Sequence, residues 1–446
     1  MPVNLRFLRL VFCILSISLF FYITSCEKSD KPFEPQPPIP PKDTITISIE
    51  SLSHRSISIH IHKELKRQSD TYLLNRYLED NKVIVFNHGI SVDDTIVVDD
   101  NQGKGLELNT TYGYQVFRID SLNVRQDSSN TVNATTLAAT SHDYTWERIT
   151  IGEWQSFLTD VWGTDENNVY AVGKVIIDGE PYGILKWDGS EWKPELFRGG
   201  RLAIFGFTED DIWEAGNNHV AHFDGNEWKR IDGYTVDNQS FPLDQVLFDN
   251  SPYTSIWGTS SENLYFTGLD GKIIYWNGEQ GSLMTTPTEV ALVDIYGLSS
   301  DYILAAGTDL LSTTALIYDG ISWNYIDGLN FDTNLFTTIF PVSRTEYYVG
   351  GSKSFRRFGD EWEEVIGDTL GIINKIRGNH NTGEIVAVGD ANTLLHFNGE
   401  SWHTVSFDIR TDTFNSIYIS DTAIFVVGTT QGAAQALILI GKRVEF

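Results

Sequence analysis

Few residues of this chain have the types and spacing that chemistry requires. His60 and His62 stand two apart in an alternating apolar stretch, so on a strand both face one way and could share a metal. No third ligand accompanies them in sequence, and an exposed strand face is the simpler reading. Asp99-Asp100-Asn101-Gln102-Gly103 has part of a calcium loop's spacing, lacks the rest of that pattern, and reads as a turn. No glycine-rich phosphate loop, Ser-x-x-Lys or nucleophile elbow occurs. No catalytic residue, metal or cofactor is expected from these residues, although acids brought together by folding are not visible in sequence.

The N-terminal segment must carry the rest somewhere. Met1 to Arg9 holds Arg6 and Arg9 and no acid, and the run Leu10 to Thr24 is apolar or small throughout, the layout of a signal peptide over residues 1–25. At 15 residues the run is shorter than the roughly 20 a spanning helix needs. Ile23-Thr24-Ser25-Cys26 resembles the lipobox of bacterial lipoproteins, which implies lipidation of Cys26 and attachment of an exported chain to the cell envelope, with the outer membrane or cell surface favoured. Prolines at 32, 35, 37, 38, 40 and 41 then favour extended polyproline II, so residues 26–42 read as a stiff tether. Cys13 leaves with the signal, so no intramolecular disulfide forms. Loss of residues 1–25 removes two arginines and no acid and takes the net charge from −28 to −30. Nucleic acid is thereby excluded as a partner, since no basic patch is present to neutralise phosphates.

From Asp43 to about residue 138 the apolar residues alternate, as in Ile45, Ile47, Ile49 and Ile57, Ile59, Ile61, and about seven short strands predict a β-sandwich. Leu106-Glu107-Leu108-Asn109-Thr110-Thr111-Tyr112-Gly113-Tyr114 resembles the fibronectin type III pattern at its tyrosine corner, and Thr135-Thr136-Leu137 resembles that family's closing strand.

Internal repeats dominate residues 144–446. The first unit reads Asp160-Val161-Trp162-Gly163, then Val169-Tyr170-Ala171-Val172-Gly173, then Trp187-Asp188-Gly189-Ser190-Glu191-Trp192. A first-strand aromatic and a second-strand glycine recur at Phe205/Gly216, Trp257/Gly268, Tyr296/Gly307 and Phe340/Gly351, eleven apart each time, and more loosely at Arg377/Gly389 and Tyr418/Gly428. Units near 40 residues with four short strands predict propeller blades, and seven second-strand glycines predict seven. The last unit stops before a fourth strand, whereas Tyr144-Thr145-Trp146-Glu147-Arg148-Ile149 matches fourth strands such as Glu227-Trp228-Lys229-Arg230-Ile231. An N-terminal strand closing the last blade is therefore expected. The fold class is all-β: a fibronectin-III-like sandwich at 43–138 and a seven-bladed β-propeller at 144–446.

The repeated glycines and Asp/Asn-Gly pairs read as turn chemistry, and the recurring tryptophans as packing between blades. The Asp-Gly-x-x-Trp element is similar to the Asp-box of sialidase-like propellers but lacks its serine and threonine, and the central strands offer chiefly Arg377 where such an enzyme needs several arginines. Ligands are expected at the channel mouth, on loops joining fourth to first and second to third strands. The candidates are Trp154, Tyr182, Phe197, Arg198 and Arg201 in the first units, Tyr234 and Phe241 in the insertion 232–254, and Arg377. The expected role is a non-catalytic, monomeric binding scaffold for protein or polysaccharide; the alternative is a carbohydrate-active enzyme with acids at the same mouth.

Thr140-Ser141-His142-Asp143-Tyr144-Thr145-Trp146, with Asp160-Val161-Trp162-Gly163 and Leu185-Lys186-Trp187-Asp188-Gly189, resembles a group of bacterial lipoproteins of the Bacteroidota and Ignavibacteria-like lineages. That resemblance implies the same pairing of sandwich and propeller. More distantly the repeats resemble the propellers of photosystem II assembly factors, which implies a protein-binding scaffold.

Overall fold

The computed structural model describes residues 44–64, 71–78, 81–89, 94–120, 122, 124–195, 200–217, 219–231, 252–309, 312–329, 334–366, 371–407, 411–432 and 434–444. The signal-like segment, Cys26 and the proline-rich stretch lie outside them. Every regular element among the described residues is a β-strand.

Two sheets form the N-terminal layer pair. In one, β1 (Thr44–Leu52), β2 (Ile57–Glu64) and β5 (Asp94–Asp99) pair in the order β1-β2-β5. In the other, β4 (Asn81–Gly89), β3 (Thr71–Leu78), β6 (Thr111–Ile119) and β7 (Arg125–Ser128) pair in that order, and β8 (Val132–Thr135) also pairs with β6. Alternation sends Ile45, Ile47, Ile57, Ile59 and Ile61 inward against Tyr72, Leu74, Tyr112, Tyr114 and Val116. Each such side chain contributes about 1.5–3 kcal/mol on burial. The Tyr112 hydroxyl accepts from the Glu107 backbone N–H at 3.1 Å, fixing the loop before β6. Asp99 faces inward and is held by Arg76 Nη1 at 2.8 Å and the Tyr114 hydroxyl at 2.9 Å, so the acidic run there is a turn anchored to the core.

Seven four-stranded antiparallel sheets follow, within 157–195, 201–230, 253–283, 292–325, 336–366, 373–404 and 413–443. The seventh takes its fourth strand from β9 (Tyr144–Ile151), which pairs with Ala436–Arg443 and sets Trp146 opposite Gly441. First strands of consecutive sheets touch, and Thr413–Ile419 of the seventh touches Phe157–Asp165 of the first.

One local device recurs in all seven first strands. A β-bulge falls at Thr159, Leu202, Thr254, Val293, Thr337, Asn374 and Asn415, one residue after the partner of the second-strand glycine. None of these seven glycines has a positive φ. A Cβ on Gly173, Gly268 or Gly307 would instead collide with the first-strand carbonyl opposite, so the bulge requires glycine there for close approach. Turn chemistry, the sequence reading, applies instead to the hairpins: between third and fourth strands Gly189, Gly225, Gly278, Gly320 and Gly399 have φ of 86–99°, and between second and third strands Gly179 and Gly271 have φ of 77° and 65°. In the former the preceding side chain caps the turn; Asp188 Oδ1 accepts from the backbone N–H of Ser190 and Glu191 at 3.0 Å each.

The bulge residues join sheet to sheet. Thr159 Oγ1 donates to Arg201 O, Thr254 Oγ1 to Leu292 O, Thr337 Oγ1 to Ile373 O, Asn374 Nδ2 to Phe414 O, and Asn415 Nδ2 to Leu158 O. Every acceptor stands four residues before the first-strand aromatic position of the next sheet. The glycine after that aromatic position serves the same junctions. The rings of Trp162, Trp257, Phe340 and Tyr418 lie over Gly206, Gly297, Gly378 and Gly163 of the following sheet, where a Cβ would stand 2.6–2.7 Å from ring carbon.

Candidate binding site

Two residues after the junction carbonyl, each first strand turns one side chain towards the centre: Asp160, Ala203, Ser255, Asp294, Thr338, Lys375 and Ser416. Asp294, fully buried, accepts from Ser255 Oγ (3.3 Å), Thr338 Oγ1 (2.8 Å), Ile339 N (3.0 Å) and Lys375 Nζ (3.1 Å), and from both guanidinium nitrogens of Arg377 (2.9 and 2.5 Å). Burial alone would raise its carboxyl, but the Arg377 and Lys375 charges hold it well below the usual carboxylate range. Asp294 belongs to the fourth sheet and its cations to the sixth, so the pairs bridge two sheets that are not consecutive. Asp160 binds Ser416 Oγ at 2.6 Å and Ile204 N at 3.0 Å. Both acids of the layer therefore serve as acceptors for neighbouring strands.

Beyond this layer lies a cavity of about 150 Å³, lined by Asp160, Trp162, Phe205, Tyr296, Arg377 and Tyr418 among others. Tyr296, with Arg377 stacked on its ring at 5.0 Å, also lines a larger cavity of about 580 Å³ at the end where first strands turn into second. Trp257, Leu298, Arg344 and His380 form its propeller side, and Ile49, Glu50, Leu52, Ser58 and Ile96 of β1, β2 and β5 form its roof. Ser58 points away from the sandwich core yet is 3 % exposed, because the sheets beneath cover it. This volume is that of a small-ligand pocket. His380 keeps surface open to the cavity but is crowded by Tyr296 and Phe340, and burial pushes its imidazole below the ordinary range. Burial likewise raises the Tyr296 phenol, and neither side chain has a hydrogen-bond partner among the described residues.

The fold is propeller-like. It is similar to YCF48 bound to D1 peptide, with 16% sequence identity and a TM-score of 0.50 over 69% of this chain and 98% of that one. The extracellular domain of BT4673 from B. thetaiotaomicron is matched at 10% identity and a TM-score of 0.47, over 66% of this chain and 39% of that one. No family model and no curated protein matches the sequence.

The residues expected at the mouth fare unequally. Trp154 is 66% exposed, in the turn before the first sheet. Tyr182 is half-buried within the strand Glu180–Trp187, opposite Val175, and not in a loop. Arg201 is a correction: at 1% exposure it pairs with Glu214 at 3.0 Å, because it opens a first strand and points into the sheet stack. Arg377 does line the channel, but its guanidinium is bound to Asp294 and to the carbonyls of Ile339 and Ile376. Phe197, Arg198, Tyr234 and Phe241 lie outside the described residues. His60 and His62 both face Asp94 on β5, at 3.3 and 2.5 Å, and no metal-holding group of three is found among the described residues. The 580 Å³ cavity lies at the other end of the channel from Trp154 and Arg201. Sequence reading missed it because its roof comes from a different layer, more than 200 residues from His380 in the chain.

Proposed function

We propose that this chain is an exported lipoprotein, anchored through Cys26 and held off the membrane by residues 26–42. Its fibronectin-III-like domain roofs a closed seven-bladed propeller, and at the roofed channel mouth this acts as a scaffold that binds protein or polysaccharide without catalysing its turnover there. The observation that carries this reading is the 580 Å³ cavity, into which Tyr296 and His380 present polar groups without a hydrogen-bond partner among the described residues, while Asp160 and Asp294 are engaged with neighbouring strands. Closure by β9 is supported by its pairing with Ala436–Arg443 and by the Asn415–Leu158 bond, which repeats the other junctions. The Tyr112–Glu107 contact supports the fibronectin-like reading. YCF48, in the structure to which this fold is similar, is bound to D1 peptide, so polypeptide segments belong in the ligand panel beside glycans.

The test is saturable binding of the full chain in detergent to glycan and peptide arrays. Weakening by His380→Ala and Tyr296→Phe is the expected result; binding indifferent to both would remove the cavity from the account. Glycan turnover abolished by one acid-to-amide change would replace the scaffold with an enzyme. Cys26→Ser should abolish fatty-acid labelling and release the chain from membranes.

A further inference from the structure

A second polar assembly lies apart from the channel, where the linker after β8 crosses the sixth sheet. Glu384 is fully buried and accepts from Thr140 Oγ1 (2.8 Å), Tyr144 OH (2.7 Å), Thr382 Oγ1 (2.9 Å), Arg443 and His396 Nε2 (3.1 Å). An ionised carboxylate only accepts, so His396 carries a proton on Nε2 and, when neutral, a lone pair on Nδ1. That Nδ1 lies 2.9 Å from Nδ1 of His142, which must therefore donate and keep its own lone pair on Nε2. Nε2 of His142 lies 3.3 Å from Ser401 Oγ. One buried carboxylate thus assigns both tautomers and turns a basic nitrogen towards a hydroxyl. Burial, then the neighbouring His396 and His403, lower the His142 pKa against the opposing Asp143 and Glu384, which favours the neutral form at pH 7.

Ser401 also lines a cavity of about 350 Å³ between the β1–β2 turn and the fifth and sixth sheets. Arg55 lines it too; its guanidinium donates to Leu106 O at 3.3 Å and has no acidic partner among the described residues.

We propose that Ser401 is a nucleophile towards carboxylic esters and related acyl or phosphonyl electrophiles, with His142 as its general base and His396 and Glu384 as positioning residues. Oγ attacks the ester carbonyl carbon while its proton passes to His142 Nε2. The carbon–oxygen bond to the alcohol breaks as that proton is returned to the leaving oxygen, giving an acyl-serine and a free alcohol. Water activated by the same nitrogen then releases the carboxylic acid. Arg55 supplies positive charge on the cavity wall for the oxyanion.

The test treats the full chain in detergent with an alkyl phosphonyl fluoride and maps the adduct by mass spectrometry. The oxygen–phosphorus bond forms, fluoride leaves, and the proton goes to His142. The adduct is expected on Ser401, absent in Ser401→Ala, and formed about 100-fold more slowly in His142→Ala. Labelling is also expected to fall as acid protonates His142, since Nε2 then carries a proton and can accept none from Ser401. No adduct on Ser401, an unchanged rate in His142→Ala, or a flat rate between about pH 5 and 8 would each overturn the assignment. Should His142→Ala not fold, the pH profile of the unsubstituted chain decides.

Discussion

The imidazole of His54 fills the space in which a side chain on Gly399 would stand. Gly383 leaves the second half of the same socket, and both glycines have positive φ, +99° and +74°. His54 sits in the turn between β1 and β2 and binds Ala138 O through Nε2 at 3.0 Å. Thr140 continues the attachment by exchanging backbone and side-chain bonds with Asn398. The sandwich is therefore seated on the sixth sheet by a ring in a two-glycine socket, and that seat holds the roof of the large cavity.

Gly399→Ala should cost about 1–3 kcal/mol, because the new Cβ meets both an unfavourable φ and the His54 ring. Denaturant unfolding measures the loss, and limited proteolysis should find the linker at 136–143 newly accessible. Adding His54→Ala should return the part of the loss due to collision and leave the part due to backbone conformation.

Between sheets the corresponding test is Gly297→Ala. Its Cβ would stand 2.6 Å from the Trp257 ring, a distance that forces the indole or the strand to move. A cost of about 1–3 kcal/mol is expected, partly relieved by Trp257→Leu in the same chain. Equal stabilities with and without the second change would show that the indole does not set the requirement for glycine.

Asp294→Asn leaves Lys375 and Arg377 without their counter-charge at the centre. A loss of about 3–5 kcal/mol is expected, read as a lower urea midpoint.

Glu384 gives a pH signature. Burial would raise its carboxyl, but bonds from His396 and Tyr144 and the charge of Arg443 bring it down to about 2 from the ordinary 4.5. A lowered folded pKa means the contribution is complete above about 4.5 and disappears as pH falls towards 2. Relative to Glu384→Gln, the native chain should hold an advantage of roughly 3 kcal/mol near neutrality that shrinks across that window. An advantage independent of pH would mean that the carboxylate charge is not what Glu384 supplies.

The repeats were legible because their spacing is a consequence of backbone geometry. Eleven residues from aromatic to glycine is what results when the first strand carries a bulge just beyond Gly163 and a short turn follows, as in the first five sheets. The sixth and seventh lack this bulge, and their turns differ in length: residues 379–384 lengthen the spacing to twelve at Arg377/Gly389, whereas residues 420–423 leave ten at Tyr418/Gly428. The likeness of Tyr144–Ile149 to other fourth strands likewise pointed to its place beside Ala436–Arg443. The glycines were visible, but not their reason, since contacts with the next sheet's neighbour leave no local mark. Tyr296 illustrates the remaining limit: it repeats like any first-strand aromatic, and only the placement of β1, β2 and β5 above it makes it the wall of a cavity.

β9 and its partner strand are separated by nearly the whole repeat array, with Thr145 and Lys442 meeting across 297 residues. During synthesis the first of these strands leaves the ribosome long before the second exists. Until Ala436–Arg443 emerges, the seventh sheet lacks its own third strand and β9 waits with an open edge, exposed to pairing with another nascent chain. A chaperone that shields Tyr144–Ile151 through translation would therefore raise the yield of correctly assembled chain more than one acting on any later strand.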